Sequence, residues 1–491
     1  MTASPRRVPV ALALICVAGA VLRFATLDVQ SLWYDEAVTA ELLRMDLSGL
    51  LHAIPSSESS PPLYYVLGWL WTHAFGTGEV GLRSLPALIG TATIPVVWAL
   101  GRRIGGDGAG LVAAALVAVN PMLVWFSQEA RAYALLVLLA ALATLLWLRA
   151  LERPRPGRAA AWSVVAALAV ATHYYAIFLV APQAVWLVVK LPGARQRAAA
   201  IAPLAVALVV LAPLAFKQRS NDSASFIRES ALGTRILQVP KQLLVGYDSP
   251  AETLLAVVSA VLLLIAAYGA WAFITRTTRT PARDDATRLA ALVAAALLLP
   301  VLAALIGEDH LITRNLLAVV PAAAALAGAG LAQVTRMWPG VGPAAIATAC
   351  VLGLVTVIGV VLDPRSQRDD WRGAVEALGS APGERLIVAT PPSALAPLRY
   401  YLPGARQLTE AAILTPEVDY IALSERSPGE RPKPPRPAAP PQLPPYELIA
   451  GARADTFTVL RMRAAAPQPL PSTTVATGLD GKAPLLVVFT R

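Results

Sequence analysis

Two adjacent carboxylates, Asp35 and Glu36, follow the first apolar stretch of the chain, within the segment SLWYDEAVTAELL at 31–43. A carboxylate can accept the proton of an attacking hydroxyl, so the pair predicts a general base. Acidic residues are also common in the first turn of a helix, where they meet its positive end. Both interpretations stay open for the pair taken alone.

Three arginines lie near the ends of later apolar runs. Arg83 begins the next long run, Arg131 lies in SQEARAY (127–133), and Arg314 lies in GEDHLITRN (307–315). A guanidinium can hold a phosphate with two hydrogen bonds and stabilise the charge that develops when it leaves. These arginines are therefore predicted to bind a phosphate, with the alternative that each is an anchor reaching toward the membrane surface.

Aromatic and other polar residues accompany these charges, in the segments WYDE, PPLYY, SQEAR and THYY. Aromatic rings can pack on a sugar or an isoprenoid, although a lone histidine is more often a hydrogen-bonded structural residue. The predicted substrate-binding residues are Tyr34, Tyr64, Tyr65, Glu129, His173 and Tyr174. An acid, several arginines and aromatic rings together suit group transfer from a lipid-linked phosphate donor.

The composition predicts a membrane protein that crosses the bilayer many times. Of 491 residues, 56% are hydrophobic and only 15% are charged, whereas soluble proteins have about 25% charged residues. Apolar runs of 18 or more residues recur, and each is long enough to span the hydrocarbon layer. The net charge of +10 falls in short clusters between these runs, which is typical of cytoplasmic loops and argues against a nucleic-acid partner.

The basic clusters fix a predicted topology of about eleven transmembrane helices. The N-terminus is expected in the cytoplasm and the C-terminus outside, as in a multi-pass protein of the bacterial inner membrane. The apolar segment 61–75 is short for a span, so we expect a helix at the outer interface. The acid pair then lies on the first outer loop, 28–82, and the tips that carry Arg131, His173 and Arg314 lie on the same side.

The residues after the last span change in character. Segments typical of helices and strands alternate, DYIALS and ADTFTVLRMR read as strands, and a proline-rich tract fills 427–445. The predicted fold is an all-α polytopic membrane domain over 1–362 and a small α/β extracytoplasmic domain over 363–491. The alternative for the small domain is a docking or lid module without chemistry.

Cysteine, histidine and N-terminal patterns give no further site. Cys16 and Cys350 lie inside apolar runs, the four histidines lack metal-ligand spacing, and no metal-binding residue is predicted. The first apolar run lacks a small-residue cleavage site, so it is expected to be a retained helix rather than a signal peptide.

Several blocks together resemble bacterial glycosyltransferase family 39, which has the GT-C fold. SLWYDEA, PPLYY, GLRSLPALIGTATIPVVWALGRRIGG, NPMLVWFSQEARAYALL and HYYA occur in the order seen in that family. They are similar to the protein O-mannosyltransferases and the lipid A aminoarabinose transferase over roughly residues 20 to 360. The outer domain matches only loosely.

The resemblance implies a cell-envelope transferase that uses a polyprenyl-phosphate sugar and inverts the anomeric carbon. By that resemblance Asp35 is the base, Glu36 is its partner, and Arg83 matches an arginine of the mannosyltransferases. The family often has histidine before the double proline, where this chain has Ser60, with Glu58 nearby. No cofactor is assigned from the sequence, and a divalent metal ion stays open as one. The implied partners are the donor, membrane lipid and a protein, lipid or glycan acceptor.

Two alternatives remain. A transporter or flippase of lipid-linked sugars would place polar groups near the bilayer midplane on broken, repeated helices, whereas the charges here lie near span ends. A non-catalytic scaffolding relative is the other.

Overall fold

The computed structural model describes residues 7–221, 227–228, 230–249, 251–381, 383–424, 441–475 and 483–489. In this part of the chain, the helices numbered α1 to α18 in chain order are Arg7–Phe24, Tyr34–Leu43, Leu47–Ser57, Leu63–Phe75, Glu79–Gly105, Asp107–Val119, Pro121–Ser127, Tyr133–Glu152, Pro156–Thr172, Ile177–Lys190, Ala194–Arg219, Leu232–Val245, Glu252–Arg276, Pro281–Leu305, Val320–Met337, Val341–Leu362, Trp371–Leu378 and Leu395–Tyr401. The strands β1 to β6 are Arg385–Thr390, Arg406–Gln407, Ala412–Leu423, Glu447–Arg453, Phe457–Pro471 and Leu485–Phe489.

The chain divides into two compact units. The first contains Met1–Leu27 and Met45–Ile358, and the second contains Asp28–Arg44 and Gly359–Arg491. The acid-bearing segment, which the sequence grouped with the membrane domain, is thus grouped with the C-terminal residues.

Apolar helices of membrane-spanning length make up most of the first unit. Among the described residues, eight helices are long and apolar enough to cross a membrane, or nine if the bent pair α6 and α7 forms one span. The number is lower than the eleven predicted, and Tyr174–Lys190 is a shorter apolar segment. The polytopic helical fold with a small C-terminal α/β part is confirmed. Residues 61–75 contain α4, a helix of 13 residues that is too short to span.

A break at Asn120 separates α6 from α7, and the two helices are bent by 58°. The break leaves carbonyl groups at the end of α6 without their usual helical donors. Arg23 on α1 supplies donors, with bonds to Val117 O (3.1 Å), Ala118 O (2.9 Å) and Ser127 Oγ (3.2 Å). The arginine is fully buried, so the broken span is held by side-chain bonds from the first span.

Glycines allow two of the spans to pack closely. A Cβ added at Gly330 on α15 would lie 2.0 Å from the backbone oxygen of Ala266 on α13. A Cβ added at Gly269 on α13 would likewise lie 2.1 Å from the carbonyl oxygen of Gly330. Small residues that bring backbones together are typical of helix contacts in membranes.

A six-stranded sheet forms the centre of the second unit, with the order β2-β6-β1-β3-β5-β4. Strands β1 and β3 are parallel and the other neighbours are antiparallel. The predicted strands DYIALS and ADTFTVLRMR correspond to the end of β3 and to β5 with the residues just before it. Most of the proline-rich tract, 427–440, lies outside the described residues.

Both faces of this sheet are covered, which explains why β1 is an unbroken buried run rather than an alternating one. Ile387 and Ala389 face a core that includes Trp371 of α17 and Leu398 of α18. Leu386 and Val388 face a second core.

Candidate active site

The acid pair lies in the second unit, in the first turn of α2. Helix α2 begins at Tyr34, after Trp33, whose side chain makes no capping bond. Glu36 is 0% exposed, whereas Asp35 is partly exposed and Tyr34 is 43% exposed. Adjacent residues on a helix point about 100° apart. One acid is therefore accessible and the other is enclosed.

The enclosed acid faces an arginine from the segment after the last span. Arg368 Nε lies 3.8 Å from Glu36 Oε2, and the two side chains are 3% and 0% exposed. A buried carboxylate is stable when an opposite charge compensates it. Sequence reasoning missed Arg368, whose only signal was the charged run RDDWR just beyond the last span.

In the first unit, Arg131 forms a buried ion pair with Glu58. Arg131 Nη1 donates to Glu58 Oε1 at 2.7 Å, and the side chains are 8% and 3% exposed. The guanidinium carbon also lies 5.9 Å from the centre of the Tyr65 ring, a cation–π contact. Tyr65 in turn packs edge-on against Tyr64 at 5.8 Å. The structure thus brings together the segments SSESSPPLYY and SQEARAY.

His173 lies between α9 and a short 3-10 helix, Tyr174–Ala176, and is 5% exposed. Burial, with added repulsion from the charges of Arg314 and Arg131, lowers the pKa of His173 to about 3. The imidazole is therefore neutral at pH 7. The charges of Arg131 and Arg314 both act on His173, which belongs to the first unit with them.

Aromatic rings continue from this histidine in both directions. The His173 ring lies 5.5 Å from the Tyr133 ring and 5.3 Å from the Tyr175 ring. Tyr175 is in turn 5.4 Å from His310. The row offers flat apolar faces beside the arginines.

Three further predicted residues make hydrogen bonds within the first unit. Arg83 is buried and donates from Nη1 to the carbonyl of Leu27 at 2.8 Å. Tyr174 donates its hydroxyl to Gln218 Oε1 at 2.7 Å. Glu129 is 1% exposed, and its carbonyl accepts from the Arg131 N–H at 2.7 Å in the turn between α7 and α8.

An apolar cavity of about 530 Å³ was not predicted. It is lined by α6, α12 to α16 and the segment before α15; representative residues are Asn120, Val239, Leu262, Leu311, Leu316 and Ala327. Leu311 and Leu316, which lie three residues before and two residues after Arg314 in the chain, line the cavity. The amphipathic α12 and the Asn-Pro break were signals in the sequence, but the enclosed volume depends on how distant helices pack.

The residues at the PPLYY loop do not fit a divalent metal ion. Glu58 is ion-paired with Arg131, and Ser60 has a neutral hydroxyl in place of an imidazole. Across the described ranges, no three His, Cys, Asp or Glu side chains gather as a metal site requires.

Comparisons with known proteins agree with the motifs. Residues 59–216 match the family model described as dolichyl-phosphate-mannose-protein mannosyltransferase. Comparison with curated protein sequences gives no match.

Three solved structures are similar to the chain. ArnT from Cupriavidus metallidurans bound to undecaprenyl phosphate has 14% identity and a TM-score of 0.55, with 91% of this chain and 97% of that chain covered. The Archaeoglobus fulgidus oligosaccharyltransferase in complex with Zn and sulfate has 14% identity, a TM-score of 0.46, and coverage of 79% and 61%. The arabinosyltransferase EmbB from Mycobacterium smegmatis has 13% identity, a TM-score of 0.45, and coverage of 85% and 46%.

The match to ArnT extends over nearly the whole of both chains, and the family model covers the segment that carries PPLYY, SQEARAY and HYYA. The chain is therefore a polytopic membrane protein of the GT-C glycosyltransferase fold, and it resembles family 39 as its motifs predicted.

Proposed function

We propose that the chain is a membrane glycosyltransferase that moves a sugar from a polyprenyl phosphate to an acceptor hydroxyl on the extracytoplasmic side, with inversion. The observation that carries this proposal is the contrast within the acid pair. Asp35 is partly exposed on the first turn of α2, whereas Glu36 is enclosed beside Arg368. A base must be reachable by the proton that it accepts.

The proposed reaction is a single displacement. The acceptor hydroxyl gives its proton to the Asp35 carboxylate while its oxygen bonds to the anomeric carbon of the donor sugar. The bond between that carbon and the phosphate oxygen breaks, and its electron pair leaves with the polyprenyl phosphate. Attack opposite the leaving group inverts the anomeric carbon.

The leaving phosphate is assigned to Arg131 and Arg314, with Arg83 as the third candidate. Arg131 and Arg314 are close enough to lower the pKa of His173 together, and the neutral imidazole adds no competing charge. Glu58 neutralises part of the charge of Arg131, so Arg314 supplies most of the net positive charge. A guanidinium favours an anion with several oxygens, because it can donate two parallel hydrogen bonds to them.

The apolar cavity supports a lipid donor. Its lining is almost entirely aliphatic. The lining includes Leu311 and Leu316, which flank Arg314 in the chain. An isoprenoid tail in the cavity would therefore leave its phosphate at the arginine. Binding of such a tail is favoured by removing apolar surface from water.

The experiment is turnover of a panel of polyprenyl-phosphate sugars by the purified full-length protein, with peptide, lipid and oligosaccharide acceptors. Asp35→Asn keeps the size of the side chain and removes its basicity. We expect its kcat to fall by about 10²–10⁴-fold. Binding of undecaprenyl phosphate, followed by thermal shift, should stay near the wild-type value.

The matched control is Asp28→Asn, because Asp28 is exposed on the same segment and the change in charge is identical. Wild-type turnover is expected for this variant. Near-normal turnover of Asp35→Asn, with a folded protein, would contradict catalysis by this acid. Assays with and without EDTA test the metal question directly.

A carrier of lipid-linked sugars is the second candidate, because transporters often place their sites at broken helices and α6 and α7 are one broken segment. A carrier moves its lipid between membrane faces and forms no glycosidic bond. Product formation in detergent, where no membrane faces exist, would therefore support the enzyme. Flipping in vesicles without product would support the carrier.

A further inference from the structure

The segment that carries the acid pair is bonded to residues of the C-terminal α/β part. Arg368 provides several of these bonds. Its backbone N–H donates to Gln30 Oε1 at 3.0 Å, its Nη1 donates to the same oxygen at 3.2 Å, and its Nε lies 3.8 Å from Glu36 Oε2. Arg368 is 5% exposed, Gln30 is 6% exposed and Glu36 is 0% exposed. One buried guanidinium thus contacts both the segment before α2 and its first turn.

Hydrogen bonds between side chains and backbone groups extend this attachment along the segment. Ser31 Oγ donates to the carbonyl of Asp369 at 2.7 Å, and the N–H of Leu32 donates to Tyr401 Oη at 2.7 Å. Arg372 Nη2 donates to the carbonyls of Asp28 at 3.0 Å and Val29 at 3.1 Å. The chain from Asp28 to Leu32 is therefore fixed before α2 begins.

The far end of α2 has weaker contacts with α18. Arg399 Nη1 lies 3.9 Å from Glu41 Oε1, and the Arg44 guanidinium lies 4.6 Å from the centre of the Tyr400 ring. Exposed pairs of this kind contribute little. Leu42 and Leu43 at this end are buried, so apolar packing also holds it. The polar contacts of the first turn and of the residues just before it are the ones nearest Asp35.

We propose that Arg368 is a positioning residue that, through Gln30 and Glu36, sets the orientation of Asp35, so that the C-terminal domain takes part in the transfer reaction without touching the substrate. The inference rests on the proposed function. Asp35 precedes Glu36 directly, and a rotation of α2 that moves one acid moves the other. A displacement of about 1 Å at a reacting group can cost about 100-fold in rate.

Arg368 is not part of either core of the C-terminal sheet. One core contains Trp371, Ile387 and Leu398, and the other contains Val418 and Tyr420. Helix α17 has its own cap, since Asp370 Oδ1 accepts from the Gly373 N–H at 2.9 Å. A change at Arg368 is therefore expected to alter the orientation of α2 and to have little effect on the fold of the sheet.

The test measures kcat and donor KM in the full-length protein for Arg368→Gln, Glu36→Gln and the double variant. We expect Arg368→Gln to lower kcat by about 10- to 100-fold with donor KM within about twofold of wild type. The double variant should be no slower than the slower single variant, because both changes remove the same contact. Arg368→Lys should recover only part of kcat, because lysine keeps the charge but lacks the planar fork.

The control is Arg365→Gln, the same change three residues earlier in the chain. Arg365 pairs locally with Asp363, with Nε 3.0 Å from Oδ1. Wild-type kcat is expected. If Arg368→Gln does not fold, Tyr401→Phe replaces it, because this variant removes only the oxygen that accepts from Leu32. A fall in kcat with donor KM unchanged is then the expected result.

Wild-type kcat in Arg368→Gln, or in Tyr401→Phe where it stands in, would overturn the inference. So would rate losses that multiply in the double variant, since independent effects multiply. The outcome for Asp35→Asn separates the two proposals. An inactive Asp35→Asn with a normal Arg368→Gln removes only the positioning role. An active Asp35→Asn removes the proposed catalytic function.

Discussion

Arg131 Nη1 lies 2.7 Å from Glu58 Oε1, and both side chains are almost completely buried. The pair links the turn between α7 and α8 to the loop before α4. A buried pair contributes little net stability when it is complete, but the loss of one partner leaves an uncompensated charge.

Arg131→Ala is therefore expected to weaken the fold as well as donor binding. The Glu58 carboxylate costs about 3–5 kcal/mol when it stays buried without the arginine. The double variant Arg131→Ala/Glu58→Ala should have a higher melting temperature than Arg131→Ala, because it also removes the carboxylate that would be left without a partner. Thermal unfolding in detergent measures the difference. Equal melting temperatures would show that Glu58 finds another partner or becomes hydrated.

Donor binding separates the roles of the two residues. Undecaprenyl phosphate titrations should give weaker binding in both Arg131 variants and near-normal binding in Glu58→Gln. Arg131→Lys should bind at an intermediate level, since an ammonium lacks the bidentate geometry. Normal binding in Arg131→Ala would make this arginine a structural anchor.

The neutral state of His173 predicts a pH dependence of stability. Its pKa is lowered to about 3 in the folded protein, so between pH 6.5 and 3 the unfolded chain binds a proton that the folded chain does not. The free energy of unfolding is therefore unaffected by the titration of His173 above pH 6.5. It falls by about 1.4 kcal/mol per pH unit as the pH is lowered from 6.5 toward 3. His173→Asn should show a shallower loss of stability between pH 6.5 and 4. The control is His52→Asn at an exposed position, which should leave the slope unchanged.

The apolar cavity predicts a chain-length effect. Ala327 lies in the cavity wall, so Ala327→Phe fills part of the volume. We expect a donor KM raised about tenfold or more for a long isoprenoid and little changed for a donor with two isoprene units, as only the long tail needs the space. Ala260→Phe on the exposed face of α13 is the matched control. Equal effects on both donors would place the tail elsewhere.

The proposed orientation of the membrane helices can be tested by cysteine labelling. With Cys16 and Cys350 replaced by Ala, a cysteine at exposed Ser56 should react with a membrane-impermeant maleimide in intact cells. A cysteine at Gly157, where a side chain meets nothing within 4 Å, should react only after the membrane is opened. Labelling of the second position in intact cells would reverse the predicted topology.

The long periodic and apolar segments of this fold were readable from sequence, and the finer arrangement was not. Spans such as α8 and strands such as β3 follow from hydrophobic patterns that act within one segment. The different environments of Asp35 and Glu36 depend on where α2 begins. The partner of Glu36 lies more than 300 residues away in the chain, and no local pattern encodes such a contact.

The site likewise has contacts that were expected from the sequence and features that were not. Arg131 pairs with Glu58 in the segment before PPLYY, and the His173 ring lies beside the Tyr133 ring of SQEARAY. The role of Glu58 as the partner of Arg131 was not foreseen, because the sequence shows only an acid near a double proline. The cavity was missed because its walls come from helices that are apolar on several faces, and volume between helices is set by packing.

The bonds from Arg23 to the end of α6 have a consequence for biogenesis. The carbonyls of Val117 and Ala118 accept from a residue that is synthesised about 95 positions earlier. During insertion, α1 must already be in the bilayer when the broken segment leaves the translocon, since exposed carbonyls in hydrocarbon are costly. Insertion of α1 ahead of α6 would therefore give these carbonyls a hydrogen-bond donor as soon as they reach the hydrocarbon.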